Sequence, residues 1–492
     1  MIIKKLSLLA VAACSFSLQA REKPNIILML ADDLGYGDLS CFNANSDIHT
    51  PNIDRMAERG VKFTNFYASA PVCSPSRRSL LTGQYPSRIG EWAEAYRDIP
   101  TEDGIQAKKD PTIGIFLKKA GYETACYGKW NIGARLGISD ANAHGFDHAV
   151  TIDHNATYFS HYRDMGVKEL RENGKLVNRD GEFLDDIFIN EGIKFIKKNK
   201  DKPFFLYLPF ATPHEPIQAP DDPDSENTDR TKWWKDPNAT PNDRRFSSAN
   251  WGMRPDYIKM VEHLDAKIGQ LISILDELGI KDNTILIFTS DNGGHNAALN
   301  FPLNGFKQQL SEGGIRVPMI AEWDGKIASN KMVDQESILM DITRTLIQLG
   351  EAEKYIPQKR ILDGIDLMPF MTENKDRVER ELAWRRRNWS PGKQGFNKIW
   401  TEGYRKGDWK YVREFQEAPP WARFIKDKAT DNGYVEALYN LGDDLGEAKN
   451  LAPEKLEKLA EMRSAFETWK SRVVNKAPIY KIPFADQYGS PE

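Results

Sequence analysis

Three runs of consecutive apolar residues constrain this chain more than any other feature: Asn25-Ile-Ile-Leu-Met-Leu30, Phe204-Phe-Leu-Tyr-Leu208 and Thr284-Ile-Leu-Ile-Phe288. Each has the length of a strand and lacks the alternation of a half-exposed one, so each reads as a strand covered on both faces. Between the second and third lies a helical pattern with its apolar face on Ile258, Val261, Leu264, Ile268, Leu271, Ile272, Leu275 and Leu278, closed by Gly279. Strand, helix and strand in this order predict an α/β body with a largely parallel central sheet.

A chain of 492 residues is too long for one small core. After about residue 375 the pattern changes to short aromatic and basic segments such as Trp409-Lys-Tyr-Val412, then a polar helix from Pro453 to Val473. The expected division is a signal segment at 1–20, a large domain at 21–375, and a C-terminal subdomain at 376–492 with an antiparallel sheet and one helix. Residues 219–255, rich in Pro, Asp, Asn and Trp, show no periodicity and read as a long surface insertion.

Lys4 and Lys5, the apolar stretch from Leu6 to Ala13, and the small residue Ala20 form an export signal too short to span a bilayer. Val11-Ala-Ala-Cys14 offers an alternative cut that would leave a lipid on Cys14. The expected location is therefore periplasmic, extracellular or, only if Cys14 is lipidated, the cell surface. Only Cys41, Cys73 and Cys126 follow, too few for a disulfide-held body. A net charge of -4 argues against a nucleic-acid partner.

In open α/β sheets ligands sit outside the carboxyl ends of the strands. Asp32 and Asp33 follow the first strand, Lys129 and Asn131 follow Glu123-Thr-Ala-Cys-Tyr127, Thr212-Pro-His214 follows the 204–208 run, and Asp291 and Asn292 follow the 284–288 run. Asp32, Asp33, Asp291 and Asn292 offer only oxygens, which suits calcium, with magnesium second, and disfavours zinc. Singly, such aspartates often cap helices and turns.

Cys73-Ser-Pro-Ser-Arg77-Arg-Ser-Leu-Leu-Thr-Gly83 puts a cysteine near a helix start, where backbone N–H groups favour anions. This run resembles the sulfatase signature, in which Cys-x-Pro-x-Arg directs oxidation of the cysteine to formylglycine. Ala31-Asp-Asp-Leu-Gly-Tyr-Gly37, Gly128-Lys-Trp130, Thr212-Pro-His214, Thr289-Ser-Asp-Asn-Gly-Gly294, Gly305-Phe-Lys307 with Glu312-Gly-Gly-Ile-Arg-Val-Pro318, and Leu438-Tyr-Asn-Leu441 are similar to further family motifs, in the family's order. The resemblance implies an alkaline phosphatase-like fold, a calcium ion held by Asp32, Asp33, Asp291, Asn292 and position 73, and a maturation enzyme that makes formylglycine from Cys73.

It further implies a hydrated aldehyde attacking sulfur, with Arg77, Lys129 and Lys307 neutralising sulfuryl charge and His214 protonating the leaving sugar oxygen. One departure stands out. The family motif continues Gly-Lys-Trp-His, and here Asn131 takes the histidine's place. An amide takes no proton at neutral pH. Either another group serves as base, which is the expectation here, or sulfate release limits turnover, or activity is lost.

His295, directly after the second metal motif, is placed to face substrate. Arg385, Arg386, Arg387 and Trp389, with Lys393, Lys398 and Trp400 nearby, combine charge and aromatic faces that suit an anionic polysaccharide or its oligosaccharides. His144, His148, His154 and His161 match no motif and read as loop residues. Sulfate-ester hydrolysis on a sulfated carbohydrate is the function these features imply. A phosphodiesterase or phosphonate hydrolase of the same superfamily, and an inactive carbohydrate-binding protein, are the rivals.

Overall fold

The computed structural model describes residues 23–89, 107–132, 140–163, 167–222, 254–295, 297–373, 375–388, 398–416, 418, 422–427 and 433–474. The signal segment with Cys14, the insertion tryptophans Trp233, Trp234 and Trp251, the side chain of Arg387, and Trp389 lie outside the described residues.

The three apolar runs are strands at the centre of one sheet: β1 (Asn25–Ala31), β5 (Phe204–Pro209) and β6 (Thr284–Ser290). With β2 (Val61–Phe63), β3 (Glu123–Lys129), β4 (His148–Ile152), β7 (Met319–Glu322), β8 (Lys331–Val333) and a hairpin at 171–176, they run in the order β8-β2-β7-β6-β1-β5-β3-β4-hairpin. The block β6-β1-β5-β3-β4 is parallel throughout. Strand β7 turns antiparallel against both β6 and β2.

Continuous apolar composition is explained by burial on both faces. Ile27, Met29, Leu206, Leu208, Leu286 and Phe288 pack with residues of α3 (Leu184–Asn199) and α4 (Arg254–Glu277), such as Ile187, Phe188, Leu264 and Ile268. Ile26, Leu28, Phe205, Tyr207, Ile285 and Ile287 pack on the other face with Leu80 and Leu81 of α2 (Cys73–Thr82) and Ile342 and Leu346 of α5 (Leu339–Leu349). Full burial of each large apolar side chain stabilises by roughly 1.5–3 kcal/mol. Helix α4 buries most of the predicted face, with Ile258, Ile272 and Leu278 at its margin, and Gly279 follows in the left-handed region at φ 66°.

The C-terminal unit is a four-stranded antiparallel sheet, β9 (Glu381–Asn388), β10 (Lys398–Lys406), β11 (Trp409–Phe415) and β12 (Tyr434–Asn440), covered by α6 (Leu456–Val473). Its core is continuous with the large domain: Trp384, Tyr404, Tyr411 and Phe466 cluster with Tyr67, Leu310 and Ile315. Trp384 Nε1 donates to the Ala68 carbonyl at 2.8 Å, so this sheet grips the segment leading to Cys73. Among the described residues no helix is long and apolar enough to cross a membrane.

Candidate active site

The parallel register brings the predicted residues to one edge. Ala31 pairs with Ser290, Leu30 with Pro209 and Lys129 with Ile152, so β1, β3, β5 and β6 end together. Gly128 lets β3 finish there: its φ of 145° and the Pro209 carbonyl, 1.9 Å from where a Cβ would stand, leave room for no other residue. Lys129 then reaches Asp32, Nζ to Oδ2 2.5 Å. Asp33 adopts the left-handed conformation at φ 67°, which aspartate tolerates better than most residues.

Helix α2 is buried from Ser74 to Thr82, and Cys73 alone in it retains exposure. Its Arg77 is fully buried and holds three elements at once. Nε donates to Asp291 Oδ2 at 2.7 Å, Nη1 donates to the Lys129 carbonyl at 2.7 Å, and Nη2 stands 3.4 Å from Asp32 Oδ1. Lys307 Nζ lies 2.7 Å from Asp33 Oδ2 and 3.0 Å from His214 Nε2. Asn292 Nδ2 donates to Asp33 Oδ1 at 2.7 Å. Every residue assigned to the metal, nucleophile and charge-neutralising roles therefore meets in one buried network.

His214 is fixed from below. The N–H groups of Ala211 and Thr212 donate to Asp185 at 3.0 Å each, and the Tyr158 hydroxyl lies 2.7 and 2.9 Å from the Ala211 and His214 carbonyls. His214 Nδ1 faces the Glu215 carbonyl at 2.7 Å, so Nδ1 carries the hydrogen and Nε2 presents a lone pair to Lys307 and to Asn155 Nδ2, 3.0 Å away. Burial first, then Lys307, lowers the His214 pKa to about 3, so the resting ring is neutral. Sequence reading missed Asn155, Asp185 and Tyr158; the signal available was their position after β4 and at the start of α3.

Burial opposes charge on all three aspartates, and their neighbours decide the outcome. Lys129 and Arg77 hold Asp32 well below the usual carboxylate range, and Lys307 holds Asp33 down. Asp291, pushed by burial and next by Asp32, rises to about 7. Burial works against the charge of Lys307, yet Asp33 raises its pKa above the ordinary lysine value.

These residues fit a hard cation. Asp32 Oδ1 and Asn292 Oδ1 are buried without a hydrogen bond. Asp32, Cys73 and Asp291 place ligating atoms within 4.8 Å of one another. Asp32, Asp33 and His214 form a second such group, but the His214 lone pair already faces Lys307 and Asn155. Three crowded carboxylates, one with its pKa raised, beside oxygens that make no hydrogen bond, are what a divalent ion stabilises. Three carboxylates balance three cationic side chains here, so a bound calcium would leave a positive surplus suited to an anionic ester.

Other predicted residues are placed as follows. His295 packs edge-on against Phe306, ring centroids 6.2 Å apart, on the segment carrying Lys307, and burial followed by Lys307 lowers its pKa to about 4. Arg385 and Arg386 are buried: Arg385 Nε donates to Glu402 at 2.9 Å, and Arg386 bonds the Gln308 carbonyl and stacks on Trp400. Both thus have ties within the protein. Cys41 and Cys126 are free thiols. His148 opens β4 and so is a strand residue, not the loop residue expected. Asn131, at φ 46°, donates from Nδ2 to the Asp153 carbonyl at 3.2 Å.

The family model for Sulfatase matches residues 24–352. N-acetylgalactosamine-6-sulfatase of Mus musculus is 33% identical over 394 residues, 75% of this chain and 70% of its own length. N-acetylgalactosamine-6-O-sulfatase of Bacteroides thetaiotaomicron is 29% identical over 531 residues, 92% of this chain and 94% of its own. The crystal structure of Ps i-CgsB in complex with k-i-k-neocarrahexaose superposes with a TM-score of 0.72 at 28% identity, covering 92% of this chain and 94% of that one. This likeness bears out the alkaline phosphatase-like architecture expected from the motifs.

Proposed function

The chain belongs to the sulfatase family and is a sulfuric ester hydrolase, and from that premise we propose that it removes sulfate from a sulfated polysaccharide or oligosaccharide, using formylglycine made from Cys73 together with calcium. The observation that carries this reading is Cys73 itself, the half-buried first residue of an otherwise buried helix, with its sulfur among the carboxylates of Asp32 and Asp291. Asp32, Asp33, Asp291 and Asn292 would hold the calcium, which supplies Lewis-acid polarisation of the nucleophile and of a sulfuryl oxygen. Oxidised position 73 supplies a hydrated aldehyde whose two hydroxyls serve attack and release in turn.

The chain's own residues do the rest. Lys129 and Arg77 orient Asp32 and set fixed positive charge beside the sulfuryl group, where preorganised charge lowers the barrier most. His214, neutral at rest, is the residue we assign to protonate the leaving sugar oxygen; Lys307, 3.0 Å from its Nε2, keeps its own proton beside Asp33 as fixed positive charge, and His214 takes its proton from solvent once the anionic ester offsets that charge. A half-turn of the Asn155 amide offers its Oδ1, buried without a partner, to Nε2–H and steadies the charged ring. His295 and the exposed Phe306 beside it form the contact we assign to the sugar ring. Export by the N-terminal segment, or anchoring through a lipid on Cys14, would bring the enzyme to such substrates.

The names of the relatives make 6-sulfated N-acetylgalactosamine oligosaccharides the first substrates to test, and carrageenan oligosaccharides the second. Free sulfate is measured with matured enzyme and with Cys73→Ala, alongside aryl sulfate and aryl phosphate. Sulfate release lost in Cys73→Ala supports the reading. Faster phosphate than sulfate release would instead favour a phosphodiesterase, and glycan binding without sulfate release an inactive binding protein.

A further inference from the structure

A buried amide oxygen that nothing in the protein satisfies stands next to the nucleophile's helix, on Asn131. Arg77 Nη1 donates to the Lys129 carbonyl at 2.7 Å and Arg78 Nε to the Ile132 carbonyl at 2.9 Å, so the helix that begins at Cys73 clamps the segment carrying Asn131 from both sides. The turn after β4 grips the amide. Asn131 Nδ2 donates to the Asp153 carbonyl at 3.2 Å and lies 3.4 Å from His154 Nδ1. The next residue, Asn155, touches His214. Residues 153–155 thus join the two ends of the site.

The orientation of the amide follows from its partners. A carbonyl only accepts, so the Asp153 oxygen requires Nδ2 on its side, and His154 Nδ1 then accepts the second amide hydrogen. Oδ1 is left buried with no hydrogen bond. An acceptor held this way takes a hydrogen from a donor; the sulfuryl oxygens of an ester carry none, whereas a hydroxyl at position 73 carries one.

We propose that His154 is a positioning residue that, with the Asp153 carbonyl, locks the Asn131 amide so that Oδ1 receives the second hydroxyl at position 73 during sulfate release. This rests on the hydrolase reading above. In that step the hydroxyl O–H bond breaks and its electron pair forms the carbonyl. The carbon–oxygen bond to sulfate breaks, sulfate leaves with that pair, and the proton passes to water, the co-reactant of the hydrolysis. Asn131 orients the hydroxyl and takes no proton, which is how an asparagine can stand where related motifs carry a histidine.

The test is rapid-mixing kinetics on matured enzyme with a sulfated oligosaccharide, with intact-peptide mass at position 73 as a second readout. His154→Ala is expected to leave the first-turnover burst unchanged, to slow steady-state release roughly tenfold, the worth of one hydrogen bond, and to build up sulfated peptide. His154→Gln, which keeps an acceptor, should recover part of the rate. In an Asn131→Ala background the His154 change should add nothing. Equal loss in burst and steady state, no loss in either, or full additivity of the two changes overturns the positioning role and leaves the hydrolase reading intact. Neither free sulfate nor sulfated peptide from the unaltered enzyme overturns both.

Discussion

Two buried charge networks in this molecule use the same ingredients to different ends. Between the large domain and the C-terminal sheet, Lys410 Nζ lies 2.8 Å from Glu312 Oε1 and 2.8 Å from Glu447 Oε1, with all three side chains fully buried. Tyr67 Oη donates to Glu312 Oε2 at 2.6 Å, Arg316 Nη1 stands 3.2 Å from it, and Glu447 Oε2 accepts the Glu312 N–H at 2.6 Å. That network closes on itself: even Glu447 Oε1, which makes no hydrogen bond, is held by the Lys410 charge 2.8 Å away. The one at the strand ends is less complete: Asp32 Oδ1 makes no hydrogen bond and has only Arg77 Nη2, 3.4 Å away, and Asn292 Oδ1 and Asn131 Oδ1 are buried without a hydrogen bond. A closed network fixes two units together, whereas an open one is poised for a ligand.

Breaking the closed network should have the largest effect on stability. Lys410→Met leaves two carboxylates facing each other in the interior, and a denaturant melt should show a loss of about 3–5 kcal/mol. Turnover per folded molecule should change little. Breaking the open one should do the opposite: Lys307→Ala is expected to slow sulfate release on the order of a hundred- to a thousandfold, equivalent to about 3–4 kcal/mol of barrier, as measured by steady-state kinetics. If each variant moved both quantities equally, the distinction between the networks would fail.

Calcium sharpens the comparison. An ion that binds only the folded state at a hundredfold excess over its dissociation constant adds about 2.7 kcal/mol. Chelation should therefore lower the melting temperature of the native enzyme, and Asp291→Ala should abolish that response while Lys410→Met keeps it. The smallest effect concerns pH. Burial, with Glu312 adding to it and Lys410 opposing, pushes Glu447 up to about 7. The folded state then holds a proton that the unfolded state has released, so this group lowers stability as pH rises from the ordinary carboxylate range to about 7. Glu447→Gln keeps an acceptor for the Glu312 N–H and should flatten that slope in melts taken across the window.

What the sequence made legible follows from chain locality. Strands β1, β5 and β6 stood out because each is one unbroken apolar run, and Asp32, Asp33, Asp291 and Asn292 because each pair follows such a run directly; Arg77 and Lys307 follow none and were legible only through the motifs they share with the family. Strand β7, only Met319–Glu322 and antiparallel, carries no such pattern. Arg385 and Arg386 looked like a sugar-binding patch because Glu402, the cross-strand partner of Arg385, and the Gln308 carbonyl become neighbours only when β9 pairs and docks. The pair Lys410 and Glu312 is hidden for the same reason, since residues 98 apart in the chain look separately like surface charges. Asp185, Asn155 and His154 act through hydrogen bonds to backbone and amide groups, which no residue pattern announces.

The mass of the peptide spanning position 73, taken from enzyme made in its native host and from the same preparation whose sulfate release is measured, tests the oxidised-cysteine nucleophile most directly. The expected result is an aldehyde in place of the thiol, in a fraction that scales with activity across preparations. Full sulfate release from protein that retains an unmodified Cys73 would contradict it.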